Sequence, residues 1–286
     1  MAVTIGSNIA SLQAQRRLGI ATESLGRTFE KLSSGQRINR ASDDAAGLAI
    51  ADSLRADQRV ATVAIRNAND GISTIAIADS ALGQIGNVLS RLAELAEQSA
   101  NGVFSTSQRS ALSNEFVALA SEIERIAVTT EFNGVRLISG GNTLTLQIGF
   151  NSQSTSQISY TGVQGTLAAL GLAATGQSAL TYSITGANIE QGQSSSRLAL
   201  DAINAAISSL ASQRGVLGAT ESRLQVAINS LTVARENFAS AESRIRDVDV
   251  ATEAAELTRL NILQQAGASV LAQANQQPSL ALSLLR

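Results

Sequence analysis

The sequence predicts a mainly α protein: a long antiparallel helical bundle or coiled-coil rod with a small β-hairpin region, plus a terminal two-helix coiled coil. Three observations predict it. Ile203, Leu210, Leu217, Leu224, Leu231, Phe238 and Ile245 recur every seven residues without interruption, the period of a helical core seam. The 286 residues are 44% hydrophobic yet only 3% aromatic, with no Trp and one proline, so any core is built from small aliphatic side chains that suit long packed helices. Both chain ends read as amphipathic helices, separated by the whole of the remaining sequence.

The first helix is expected over 5–34. Ile5, Ile9 and Leu12 share one face; Leu18, Leu25, Phe29 and Leu32 form a phase-shifted second stripe; Ser33-Ser34-Gly35 is a stop signal. Asp43-Asp44 stands where the next helix begins, and carboxylates are favourable at a helix N-terminus. The pattern then stays helical to about Ala100, with a seam of Ile75, Ala78, Leu82, Ile85, Leu89, Leu92 and Ala96. Asn69-Asp70-Gly71 looks locally like a turn, which leaves helix or break open at that point. After Asn101-Gly102, Ser105 and Gln108 fit a capping box. Leu112, Phe116, Leu119, Ile123 and Ile126 give a further seam, and Asn133-Gly134 marks a turn.

The middle differs in kind. No charged residue occurs between Arg136 and Glu190. Leu144, Leu146, Ile148 and Phe150 alternate, as do Ile158 and Tyr160, which predicts a β-hairpin over about 143–161 turning near Asn151–Ser156. Leu180, Tyr182 and Ile184 could add a strand. The stretch 162–190 reads as a short uncharged surface insert. The heptad stripe then predicts a helix over 193–245, with small residues beside it at Ala206, Thr220, Ala227, Ala234 and Ala241 that allow close helix approach. A final helix is expected to about Asn275, stopped by Pro278, with apolar residues on more than one side. The domain reading is therefore a discontinuous terminal unit, 1–43 with 246–286, and a rod domain over 44–245.

Composition also excludes chemistry. Without His or Cys there is no zinc site of those ligands, no Ser-His triad and no thiol nucleophile. Lys31 is the only lysine. Asp43-Asp44 reads as a helix start rather than a metal or acid-base site, so no catalytic residue, metal or cofactor is assigned and the protein is expected not to be an enzyme. A net charge of −2 argues against a general nucleic-acid binder. The beginning, Met1-Ala2-Val3-Thr4, lacks a signal-peptide pattern, and the absence of an apolar run of 18 residues predicts no membrane span. Two terminal helices bury little by themselves, and sticky apolar stripes of this kind order on assembly. A head-to-tail contact that does not close makes a filament.

Specific strings carry a resemblance. Lys31–Asn39 (KLSSGQRIN), Asp43–Ala51 (DDAAGLAIA), Arg66–Ser73 (RNANDGIS), Phe132-Asn133-Gly134 and the C-terminal run from Ser243 through IRDVDVATEAAELTRLNILQQAGASVLAQANQ to LSLLR closely resemble bacterial flagellin. The likeness covers about 1–140 and 190–286. It implies a structural subunit that self-assembles into the flagellar filament for motility after unfolded export through the flagellar type III apparatus. It further implies that the termini pair along the filament channel, that an export chaperone holds the C-terminal helix, and that hook-associated junction and cap proteins adjoin the polymer. The chain would then be secreted and extracellular. The hairpin near 143–161 corresponds to the family element tied to protofilament switching. Too little chain lies between hairpin and returning helix for the large outer domains of longer flagellins. Two other readings share these features: a hook-filament junction protein, and a flagellin-like surface-binding protein. The family pattern for the innate-immune receptor Toll-like receptor 5 falls on Arg91, Leu95, Gln98 and Glu115, a helical face expected to differ from the Leu89, Leu92 and Ala96 seam.

Overall fold

The computed structural model describes residues 7–140 and 143–283. Five helices dominate: α1 (Ile9–Ser34), α2 (Ala45–Ala100), α3 (Thr106–Thr129), α4 (Ile189–Arg246) and α5 (Val250–Ser283). Two antiparallel hairpins separate α3 from α4: β1 (Glu131–Phe132) with β2 (Val135–Arg136), and β3 (Thr143–Gln147) with β4 (Gln157–Thr161). The chain forms two compact units, a central one over 59–235 and a terminal one made of 1–58 and 236–286. These limits differ from the boundaries read at 43/44 and 245/246: the first turns of α2 and the last of α4 belong with the terminal unit. Ile5 and the last three residues of the C-terminal LSLLR string, Leu284, Leu285 and Arg286, lie outside the described residues.

Local chemistry explains most boundaries. Asn8 caps α1, its side chain accepting from Ser11 N–H, and Gly35 ends that helix in the left-handed region at φ 70°, where a residue without Cβ is unstrained. The Asp44 carboxylate accepts the Gly47 N–H at 2.8 Å, starting α2 as its sequence position suggested. Asp43 instead accepts the Asn39 and Arg40 amides. Those bonds, Arg40 first, hold its carboxyl below the usual range. Ser105 and Gln108 form the reciprocal capping box that opens α3. Asp249 accepts the Ala251 and Thr252 amides ahead of α5.

The central unit is a packed core. Ile75, Leu82, Ile85, Leu89 and Leu92 of α2, Phe116 and Ile123 of α3, and Ile203, Leu210, Leu217 and Leu224 of α4 lie in one buried cluster. By length and hydropathy alone α2 contains a window apolar enough to cross a membrane, although polar residues interrupt it. Its seam residues are buried in this cluster, together with Ala68, Ala81 and Leu95. Helix α2 runs straight through Asn69-Asp70-Gly71. Gly71 is there for close approach: a Cβ would sit 2.3 Å from Leu146 Cδ1 of the hairpin and 3.3 Å from Leu224 Cδ1. The β1–β2 hairpin turns on Asn133 and Gly134 at φ 50° and 76°, the positive pair that a two-residue hairpin loop requires. The β3–β4 register sets Leu144 opposite Tyr160 and Leu146 opposite Ile158.

Three expectations fail here, each for a physical reason. The 162–190 stretch is not a surface insert: Val163, Leu167, Leu170, Leu172 and Ile184 are buried in the core. Leu180, Tyr182 and Ile184 form no strand, only an isolated bridge between Ala173 and Leu180; the Ile184 carbonyl is instead filled by the hydroxyls of Ser99 and Ser196. Helix α5 passes through Pro278 to Ser283 rather than stopping near Asn275: proline's fixed φ is itself helical, although its ring crowds the carbonyl four residues back and its missing amide removes one hydrogen bond.

Candidate functional site: the terminal pair and the Arg91 surface

In the terminal unit α1 and α5 pair with backbones within 8 Å. The small buried residues Ser11, Ala14 and Ala274 permit that approach. Two sets of polar contacts fix the pair. The linkers are joined by Arg37 N–H donating to the Arg246 carbonyl at 2.6 Å and Val248 N–H donating to the Gly35 carbonyl at 3.1 Å. At the other end Asn8 Nδ2–H donates to the Ala274 carbonyl and Ser11 Oγ–H to Asn275 Oδ1, both at 2.7 Å. What the pair leaves uncovered is apolar. Ile9, Leu12, Ile20 and Phe29 of α1 and Val250, Ile262, Leu263 and Val270 of α5 are exposed, Phe29 to 65% and Ile262 to 62%. Among the described residues their buried apolar counterparts in this unit are few: Ala14, Ile38, Ala51, Leu260 and Ala274.

The four residues expected on one receptor-facing patch separate by burial. Arg91 Nε and Nη2 engage the Glu115 carboxylate at 3.0 and 2.9 Å, and its Nη1 bonds Glu94 at 2.8 Å. Those partners, Glu94 first and then Glu115, raise the Arg91 pKa. Gln98 is exposed. Leu95 is not on that surface: it is 1% exposed and belongs to the core cluster with Leu92 and Ala96. Treating α2 as buried along one stripe caused the error, since packing on more than one side also takes in the neighbouring position. Along α4, Ile203, Leu210, Leu217, Leu224 and Leu231 are buried, whereas Phe238 and Ile245, which fall in the terminal unit, are half-buried.

One important residue was missed. Arg109 is buried to 1% exposure. Its guanidinium donates to the carbonyls of Ser99 at 2.8 Å and of Asn101 and Ile189 at 2.9 Å each. It therefore ties the end of α2, the start of α3 and the start of α4 together. Gly192 makes room for it, since a Cβ there would lie 3.0 Å from Nη1. The signal was available: 109, 112, 116, 119, 123 and 126 are spaced as one seam, so the arginine occupies a core position. Among the described residues no group of His, Cys, Asp or Glu side chains could hold a metal ion.

One unit is a packed helical core and the other a helix pair with exposed apolar residues, and comparison with known proteins gives the chain a family. Residues 5–143 match the bacterial flagellin N-terminal helical region and residues 200–285 the bacterial flagellin C-terminal helical region. A flagellin of Halalkalibacterium halodurans is 43% identical, with 99% of each chain covered. The chain belongs to the bacterial flagellin family. A flagellar filament 33 kDa core protein of Treponema phagedenis is 40% identical with 99% of both chains covered, as is a flagellin of Bacillus subtilis. This flagellin is thus a short form, matched end to end by its relatives. It is a structural subunit of the flagellar filament and not an enzyme. Its exposed apolar terminal helices have an evident use in a self-polymerising protein.

Proposed function

We propose that the α1–α5 pair is the polymerising element and that it lines the filament channel. The exposed apolar row on the paired helices carries this reading: a surface so poorly covered in one chain is covered by neighbouring copies. The same weakness suits export in an unfolded state through the type III apparatus to an extracellular site of growth, with a chaperone on α5 beforehand and junction and cap proteins at the ends of the polymer. Hydrogen exchange on monomer and filament tests it. Weak protection of α1 and α5 in the monomer and strong protection in the filament is expected; equal strong protection in both states would sink the proposal. Deleting 246–286 is expected to leave a soluble monomer that does not polymerise.

The Arg91 surface is proposed as the Toll-like receptor 5 contact of the monomer, through Arg91, Gln98 and Glu115. Its support is the exposed, directed guanidinium held by Glu115 and Glu94, anchor chemistry that interfaces favour. Leu95 would act from beneath by packing rather than by entering a receptor pocket. Receptor affinity of wild type and of Arg91→Ala decides: equal affinity, or no binding by wild type, removes the assignment.

A further inference from the structure

Helix α5 carries a proline in its interior, and α1 carries the group that answers it. Pro278 has no amide hydrogen. In an α-helix that hydrogen would bond the carbonyl four residues back, which is the carbonyl of Ala274. Ala274 is buried, and a buried carbonyl without a donor is destabilising. Here the Asn8 Nδ2–H donates to it at 2.7 Å. The Oδ1 of the same side chain accepts the Ser11 amide at 3.0 Å and caps α1. One carboxamide therefore closes an open donor on α1 and an open acceptor on α5. Beside it Ser11 Oγ–H donates to Asn275 Oδ1.

We infer that Pro278 makes the end of α5 conditionally helical and that Asn8 is the positioning residue that meets the condition. Proline is the strongest breaker of a helix interior. Without α1 alongside, the Ala274 carbonyl has no intrahelical donor and the segment beyond it has little reason to continue as helix. With α1 docked, the carbonyl is filled and the helix runs to Ser283. The device couples the ordering of one chain end to the arrival of the other. A further polar contact along the two helices, Gln264 Nε2–H to Thr22 Oγ1, is exposed and long at 3.4 Å. The inference rests on the pairing of α1 with α5 and not on where that pair lies in the polymer.

The test uses full-length protein assembled into filaments and compares Asn8→Ser, Pro278→Ala and the double variant. Serine keeps the capping acceptor but is too short to reach Ala274; alanine at 278 restores the amide. Hydrogen exchange over 270–283 is expected to rise about 2- to 10-fold in Asn8→Ser, the ratio given by losing one hydrogen bond. The rise is expected to vanish when Pro278→Ala is added. No rise, or the same rise in both backgrounds, overturns the inference and leaves Asn8 as an ordinary cap. The chain has no cysteine, so Leu18→Cys with Gly267→Cys reports whether the pair itself survives. A Cβ at Gly267 lies 3.9 Å from Leu18 Cβ, within disulfide range. Equal cross-linking in every variant is expected; its loss in Asn8→Ser would mean that the whole pair had separated and would overturn a local latch.

Discussion

The central and terminal units use the same material to opposite ends. Both are built from long helices rich in Ala, Leu and Ile. In the central unit the seams of α2, α3 and α4 meet the β3–β4 hairpin and the 162–184 segment, and the large aliphatics disappear into one cluster. In the terminal unit two helices have only each other, and Leu12, Phe29, Ile262 and Val270 stay exposed. A helix pair has too few faces to cover an apolar stripe that wraps round it; a multi-helix core does not have that shortage. What separates an independently stable body from an assembly element is thus the number of partners, not the composition of the helices.

The sharpest way to break this comparison is one substitution in each unit. Leu224 is 0% exposed, so Leu224→Asp buries an unpaired charge and is expected to cost several kcal/mol. Thermal melting of the monomer should fall steeply. Leu12→Asp, on the exposed face of α1, should leave that melting transition in place and abolish polymerisation instead. A Leu224→Asp variant that melts like wild type would show that the α4 stripe is not core.

Arg109 probes how the central unit is joined. Arg109→Leu leaves three carbonyls without their donor, and a loss of about 3 kcal/mol is expected, read by chemical denaturation. Arg109→Lys should recover part of it. An unchanged midpoint in Arg109→Leu would mean that water fills those carbonyls at no cost.

The smallest effect concerns charge. Arg214 of α4 grips Asp79 of α2 at 2.7 and 3.0 Å, and that bond, opposed by some burial, lowers the Asp79 pKa. A carboxyl depressed on folding contributes stability above its unfolded pKa of about 4, and that contribution is lost as pH falls through the lower folded value. Asp79→Asn should therefore cost about 0–1 kcal/mol near neutrality for so exposed a pair and nothing once the pH lies below the depressed folded value. Melting curves across that range check the sign. A penalty that persists in acid would point to lost packing instead.

Helices, caps and turns were legible because their signals are local. Ser105 with Gln108, Gly35 after Ser34, Asn133-Gly134 and the seven-residue spacing from Ile203 to Leu231 each show within a turn or two of chain, as does the 3–4 alternation of α2. The family was legible too, because long strings recur in order. The uncharged 162–184 segment was not, since short apolar runs without periodicity say nothing about which surface they cover. Leu95 was misread and Arg109 passed over for a related reason: a helix wheel gives phase, but how many faces are buried depends on what packs there.

The sequence by itself determined the helices, the starts of α2 and α3, the Asn133-Gly134 turn, the β3–β4 hairpin and the stickiness of the chain ends, because those follow from propensity, capping geometry and hydrophobic period over neighbouring residues. Only the tertiary structure decided that Gly71 is a seat for Leu146 rather than a turn, that Arg109 holds three carbonyls, and that α5 continues past Pro278 with Asn8 beside the opened carbonyl. Each of these turns on groups far apart in the chain, where the gain comes from filling a polar vacancy or a gap that a linear pattern does not display.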